Sequence, residues 1–289
     1  MVLIPEPARA PSRGPSVRPM KRALVMAVTC AVLLVVPSAA SAAEPPPPPG
    51  ANLACVPASA HPYPVVLVHG TFENRFNNWQ AMAPALRAAG YCVYALDYGA
   101  YNGSDAYGVY GVGPIERSAR ELADFVASVR SRTGAAKVDL VGHSQGGMMP
   151  RYFIKHLGGD AVVDDLVGLS PSNHGTTNPL AAPAGPYCPA CAQQVTGSPF
   201  LTELNSGDET PGDVSYTNVA TRYDEVVVPY TSAFLTGDKV TNLTLQAKCP
   251  TDTSDHLRTA YDQAAIQITL DALGHDGPAD LAFQPVCGV

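Results

Sequence analysis

One stretch of eleven residues leaves little freedom about the fold around it. KVDLVGHSQGG, residues 137–147, runs from an apolar segment interrupted only by Asp139 into a serine held between glycines, and GGMMPRYFIKHLGG (146–159) follows with helical spacing. A short apolar run ending in Gly reads as a buried strand, so the order is strand, sharp turn, helix. Gly142-His143-Ser144-Gln145-Gly146 at that junction is the G-x-S-x-G pattern of a nucleophile elbow. The turn forces the serine into a sparsely populated backbone conformation, and side chains on the flanking positions would collide, hence the glycines. A helix N-terminus also favours negative charge developing beside it. The bland alternative is a serine that caps a helix after a glycine turn. Pro150 must sit near the first turn of the helix or kink it.

The rest of the chain repeats the alternation. YPVVLVHG (63–70), YCVYALDYG (91–99), VDDLVGLS (163–170), VSYTNVAT (214–221) and KVTNLTLQ (239–246) read as further strands. Helical spacing marks 78–90, a face from Ile115 to Val129 ending near Gly134, and 256–273. Strands alternating with helices imply an α/β architecture, a mostly parallel central sheet with helices on both faces. Ligands of such sheets lie at the carboxyl ends of the strands, where Ser144 falls.

Residues 1–42 fit a secretory signal. Met20-Lys21-Arg22 is basic, Ala23–Val36 is almost wholly apolar, and Ala40-Ser41-Ala42 offers a cleavage site. The apolar run is shorter than the roughly 20 residues that span a bilayer, so an uncleaved anchor is the lesser reading. Met20 is a candidate true start. EPPPPPG opens a proline-rich linker over 43–60, and 61–289 is long enough for one domain with a full core. Removing 1–42 takes five basic residues and one acid, leaving 13 Lys+Arg against 24 Asp+Glu, a net charge of −11. That balance argues against nucleic acid as a partner. No stable membrane insertion is expected after signal cleavage, and a monomer is expected.

Seven cysteines are present, and Cys30 lies in the signal. The remaining six in a secreted chain suggest three disulfides, with 15 pairings open. The favoured set is Cys55–Cys92, Cys188–Cys191 and Cys249–Cys287. Cys188-Pro-Ala-Cys191 could serve redox chemistry instead, but it lacks the βαβ setting of such a motif, and no second ligand pair makes it a zinc site.

A serine hydroxyl needs a base and an orienting acid, which this arrangement supplies in the order Ser, Asp/Glu, His. His156 lies within the helix after the elbow. His174 comes too early to leave an acid before it, and His275 lies in a polar tail. His256, in a loop after the strand 239–246, is the candidate base, against the plainer reading of a residue beside the helix caps Ser254 and Asp255. Asp224 directly follows the strand 214–221 and is the candidate acid, with Glu225 as fallback. Backbone amides of Gln145 and Thr71 are the oxyanion-hole candidates, with the Thr71 hydroxyl a further donor. His69 reads as structural and His143 as a packing residue of the elbow. Loops 100–114 and 179–199 are candidates for rim and lid, against an equal reading as ordinary surface loops.

Six ordered blocks carry a wider likeness: PVVLVHGTFENRFNNW, GYCVYALDYG, VDLVGHSQGGMMPRYFIKHLGG, GLSPSNHGTT, TRYDEVVVPYTS and CPTDTSDHLRTAYDQAAIQ. Together they resemble secreted bacterial triacylglycerol lipases of the class 2 lipase family and, more distantly, the fungal lipase B type. The resemblance spans about residues 61–289. It implies an α/β-hydrolase fold with Ser144, Asp224 and His256 as triad and Thr71 and Gln145 at the oxyanion hole. It also supports Cys55–Cys92 and Cys249–Cys287, since fungal lipase B has cysteines at similar places. Cys188–Cys191 has no such counterpart and rests on proximity. The zinc-binding segment of thermophilic bacterial lipases has no match here, so neither metal nor cofactor is expected. The activity implied is hydrolysis of triacylglycerols. A carboxylesterase or polyester hydrolase would use the same residues, and a non-catalytic binding module on a hydrolase scaffold would be expected to lack a triad member.

Overall fold

The computed structural model describes residues 44–288. The signal region 1–42 lies outside the described residues. In chain order the elements are β1 (Val65–Val68), α1 (Met82–Ala88), β2 (Val93–Leu96), α2 (Ile115–Thr133), β3 (Val138–His143), α3 (Gln145–His156), β4 (Val163–Leu169), α4 (Pro189–Gln193), α5 (Pro199–Leu204), β5 (Ser215–Ala220), β6 (Val240–Thr244), α6 (Leu245–Lys248) and α7 (Gln263–Ala272). The strands form one sheet in the order β2-β1-β3-β4-β5-β6, and every pair is parallel.

Covering on both faces explains the continuous apolar runs. Successive strand residues point to opposite faces. Val66, Val68 and Leu140 meet Ile115 and Leu122 of α2 and Met148 and Met149 of α3. Val65, Leu67, Val141 and Val167 meet Leu86 of α1 and Ala264 and Ile268 of α7. All strand C-termini therefore open on one end of the sheet, where the loops after β1, β3, β5 and β6 converge.

Three elements differ from the sequence expectation. The helix expected over 256–273 is shorter. A single 3-10 turn at Arg258–Ala260 precedes α7, and α7 starts only at Gln263 because Asp262 caps it, its side chain accepting from Ala265 N. The strand expected to reach residue 246 stops at Thr244 and turns into α6. Pro150 lies beyond the first turn of α3. Its missing N–H leaves the Gly146 carbonyl without its helical donor, and Gly142 packs directly on that carbonyl, where any Cβ would overlap it.

The segment 43–60, expected as a free spacer, is docked along its described part. Asn52 lies against the outer edge of β2: its N–H donates to Val93 O (2.9 Å), its side-chain amide to Ala95 O (2.9 Å), and its Oδ1 accepts from Ala95 N (2.8 Å). Ala51 is buried in the core, and Arg75 holds Glu44 and the Pro45 carbonyl. An edge strand with open N–H and C=O groups invites pairing with other chains, and this segment covers it. The disulfides are Cys55–Cys92, Cys188–Cys191 and Cys249–Cys287, with Cα–Cα separations of 5.6, 5.2 and 5.5 Å.

Candidate active site

Ser144 sits between β3 and α3 with φ 55° and ψ −122°. A non-glycine residue rarely adopts such angles, and the surroundings must enforce them. They do: Ser144 N donates to Leu169 O (2.8 Å), and its carbonyl accepts from Gly147 N (3.0 Å). Gly146 permits the close approach of α3 to β1, since a Cβ there would overlap the carbonyls of Val68 and His69.

His256 follows β6, in the loop before α7, and Asp224 follows β5. Their side chains are 3% and 1% exposed, and His256 Nδ1 lies 2.9 Å from Asp224 Oδ2. The other carboxylate oxygen of Asp224 accepts from Val226 N (3.0 Å) and Val227 N (2.7 Å), which fixes the rotamer. Glu225 points elsewhere: its Oε2 accepts from the His256 main-chain N at 3.3 Å. The histidines set aside on sequence grounds have other partners. His156 meets Glu203, His174 meets Glu209 and Ser232 O, and His275 meets Asp271. His69 is fully buried, and burial lowers its pKa to about 4 against the opposing pull of its bond to the Gly70 carbonyl. It is a neutral structural residue stacked on Tyr98.

Thr71 and Gln145 face each other across the mouth of the elbow. Gln145 Nε2 donates to Thr71 Oγ1 (2.7 Å) and Gly111 O (2.6 Å). A second amide, Gln194 Nε2, donates to the same Thr71 oxygen (3.0 Å), and Ser172 holds Gln194 in turn (2.8 Å). A hydroxyl has two lone pairs and one proton. With both lone pairs occupied, the Thr71 O–H can only donate. Among the described residues neither the Thr71 nor the Gln145 main-chain N–H has an acceptor. Three donors therefore stand unused beside Ser144.

The loops expected as rim and lid each divide in two. Tyr107 and Tyr187 are exposed, but Tyr110–Gly113 is pinned under the Thr71 loop, where Tyr110 O accepts from Phe72 N (2.9 Å). The 188–194 half carries α4 and Gln194. Sequence reasoning missed Gln194, Glu73 and Asn78. His143, read as packing, bonds Glu73 Oε2 (2.8 Å) and the His256 carbonyl (3.0 Å). Exposed apolar side chains flank the site residues: Phe72 beside Thr71, Tyr223 beside Asp224, and Leu257 beside His256.

A parallel α/β sheet with a strained serine at the β3–α3 junction and a buried carboxylate–imidazole pair on the later loops defines the α/β-hydrolase class. Residues 62–269 match the class 2 lipase family, described as "Lipase (class 2)", and the chain belongs to it. A triacylglycerol lipase of Burkholderia plantarii is 33% identical over 141 residues, covering 47% of this chain and 37% of that protein. One from Pseudarthrobacter phenanthrenivorans is 37% identical over 99 residues, covering 32% and 28%. The matched stretches thus span well under half of those relatives. Aspergillus fumigatus lipase B superposes with a TM-score of 0.65 at 23% identity, over 83% of this chain and 65% of that one. The mature form of Bacillus licheniformis lipase BlEst2 gives 0.59 at 17%, over 75% and 94%. At these identities the two structures speak for the fold.

Proposed function

We propose that the protein is a secreted serine carboxylic ester hydrolase that cleaves triacylglycerols through an acyl-enzyme on Ser144. The observation that carries this reading is the buried Asp224–His256 pair on the same sheet end as the strained Ser144. Ser144 Oγ attacks the ester carbonyl while His256 Nε2 takes its proton. Asp224 holds the Nδ1–H tautomer and stabilises the imidazolium that forms. The tetrahedral oxyanion is met by the Thr71 and Gln145 amides and the Thr71 hydroxyl. His256 then protonates the departing alcohol. In the second half it activates water, which releases the fatty acid and restores Ser144.

The apolar residues that border the site favour a substrate with an apolar acyl chain. Three disulfides in a chain of this size favour an oxidising compartment and agree with export. No helix among the described residues is long and apolar enough to cross a membrane. The test is fluorophosphonate labelling followed by a hydrolysis profile from soluble short-chain esters to emulsified triglyceride, with Ser144→Ala as control. Adduct on Ser144 and turnover of the emulsion are expected. Activity restricted to short soluble esters would make this a carboxylesterase, and an adduct on another residue would overturn the assignment of the nucleophile.

A further inference from the structure

His143 is wholly buried beside the reacting groups, yet the mechanism above does not use it. Its two ring nitrogens meet two acceptors. Nδ1 lies 2.8 Å from Glu73 Oε2, and Nε2 lies 3.0 Å from the main-chain carbonyl of His256. Glu73 Oε2 also lies 3.2 Å from the N–H of Gly70, the residue before Thr71, and shares that donor with the nearer Asn78 Oδ1 at 2.9 Å. A carbonyl can only accept, so Nε2 must carry a proton. A carboxylate oxygen that already takes the Gly70 N–H draws the Nδ1 proton as well. Asn78 Nδ2 stands 3.2 Å from the same Nδ1 and would donate to it only if that nitrogen were bare.

We infer that Glu73 and His143 form a buried carboxylate–imidazolium pair that positions the catalytic histidine and the oxyanion loop as one unit. This rests on the reading of Ser144 and His256 as nucleophile and base. One end of the pair holds the His256 backbone through its carbonyl, and the other, together with Asn78, holds the Gly70 amide at the base of the Thr71 loop. The two loops, following β6 and β1, meet otherwise where the Tyr261 hydroxyl donates to the Asn77 carbonyl, away from the His256 ring and from Gly70. Burial by itself lowers the His143 pKa, but the charge of Glu73 and the hydrogen bonds to Glu73 and the His256 carbonyl more than reverse that and raise it. Burial by itself raises that of Glu73, and the charge and bond of His143 bring it below the ordinary value. The groups facing the pair are His69 from the end of β1, Asp224 and Glu225 after β5, and His256 and Tyr261 after β6.

His143→Gln removes the charged partner of Glu73 and the imidazole that holds the His256 carbonyl. Loosening of the His256 backbone is expected to lower kcat about 10- to 100-fold on a soluble ester, with KM nearly unchanged. A merely structural loss would lower the fraction of enzyme that a fluorophosphonate titrates and leave kcat per titrated site at the wild-type value. If kcat per titrated site coincides with wild type, the inference is wrong.

Nitrogen NMR of histidine-labelled wild type at pH 8 gives a second readout, with Glu73→Gln to assign the resonance. Both His143 nitrogens are expected to be protonated in wild type and only one in Glu73→Gln. A single protonated nitrogen in wild type overturns the inference. This measurement needs neither turnover nor a folded His143 variant, so its failure is distinguishable from a failure of Ser144 as nucleophile.

Discussion

Thr71→Val separates the chemistry of one hydroxyl from its structural part. Valine keeps the shape and removes both the proton and the two lone pairs. The lone pairs serve Gln145 Nε2 and Gln194 Nε2, but each amide keeps another acceptor, Gly111 O at 2.6 Å and Ala190 O at 3.2 Å. No buried donor is stranded, so the stability loss is that of ordinary hydrogen bonds, about 1 kcal/mol. For a domain of this size that is a fall in Tm of about 2–4 °C. The proton is a different matter. It is the one group on Thr71 Oγ1 left to meet the oxyanion, and removing one such donor costs about 100- to 1,000-fold in kcat, roughly 3–4 kcal/mol of transition-state stabilisation. KM on a soluble ester should change little, because a ground-state carbonyl uses the hole weakly. The assay is steady-state hydrolysis of a short-chain chromogenic ester, paired with a thermal melt. A kcat within about threefold of wild type, with the melt lowered as expected, would show that the hydroxyl proton plays no part and that its two amide donors are only packing.

Two other outcomes follow from the same structure. Cys249–Cys287 closes a sequence separation of 38 residues and Cys188–Cys191 one of 3. Chain entropy assigns them about 4 and about 2 kcal/mol, so the double Ser variant of the first pair should unfold at distinctly lower denaturant, and the reverse order would contradict the argument. At the opposite end of the sheet, burial and then the neighbouring Asp164, only partly offset by Lys137, push the Asp165 carboxyl up to about 8. The folded protein thus holds a proton that the unfolded chain releases near pH 4, so this stabilisation is complete below pH 4 and is lost as pH rises towards 8, at about 1.4 kcal/mol per unit. Asp165→Asn should melt above wild type at pH 9 and converge with it near pH 4; a constant gap across that range would refute the assignment.

The parallel sheet was legible because it is buried on both faces, which makes VVLV or VDLVGH read as strand without reference to anything distant. The elbow was legible because Gly142 answers to the Gly146 carbonyl four residues on, although Gly146 itself makes room for β1, far along the chain. The order of Ser144, Asp224 and His256 told where to look, and the 2.9 Å contact between Asp224 and His256 distinguishes Asp224 from Glu225 in a way that two adjacent acids in a sequence cannot. What stayed hidden depends on partners far along the chain. Gln194 is an ordinary residue closing the short helix α4 until Thr71, 123 positions away, meets its amide. Glu73 lies 70 positions from His143. The helix expected to run on from His256 failed for a related reason: the ring is tied to Asp224 and the carbonyl to His143, and helical backbone from 256 onward would have to release them.

The covering of β2 by Asn52 also bears on proteolysis. Val56, four residues on, is 87% exposed, and the chain around it is open to attack before it enters β1. A cut between Val56 and Tyr63 would not free the edge it uncovers on paper. Asn52 still holds three hydrogen bonds along the strand, and Cys55 is covalently joined to Cys92. The clipped piece stays in place as a noncontiguous part of the domain, and nicked enzyme remains whole in mass and in solubility until a reductant opens that one bridge.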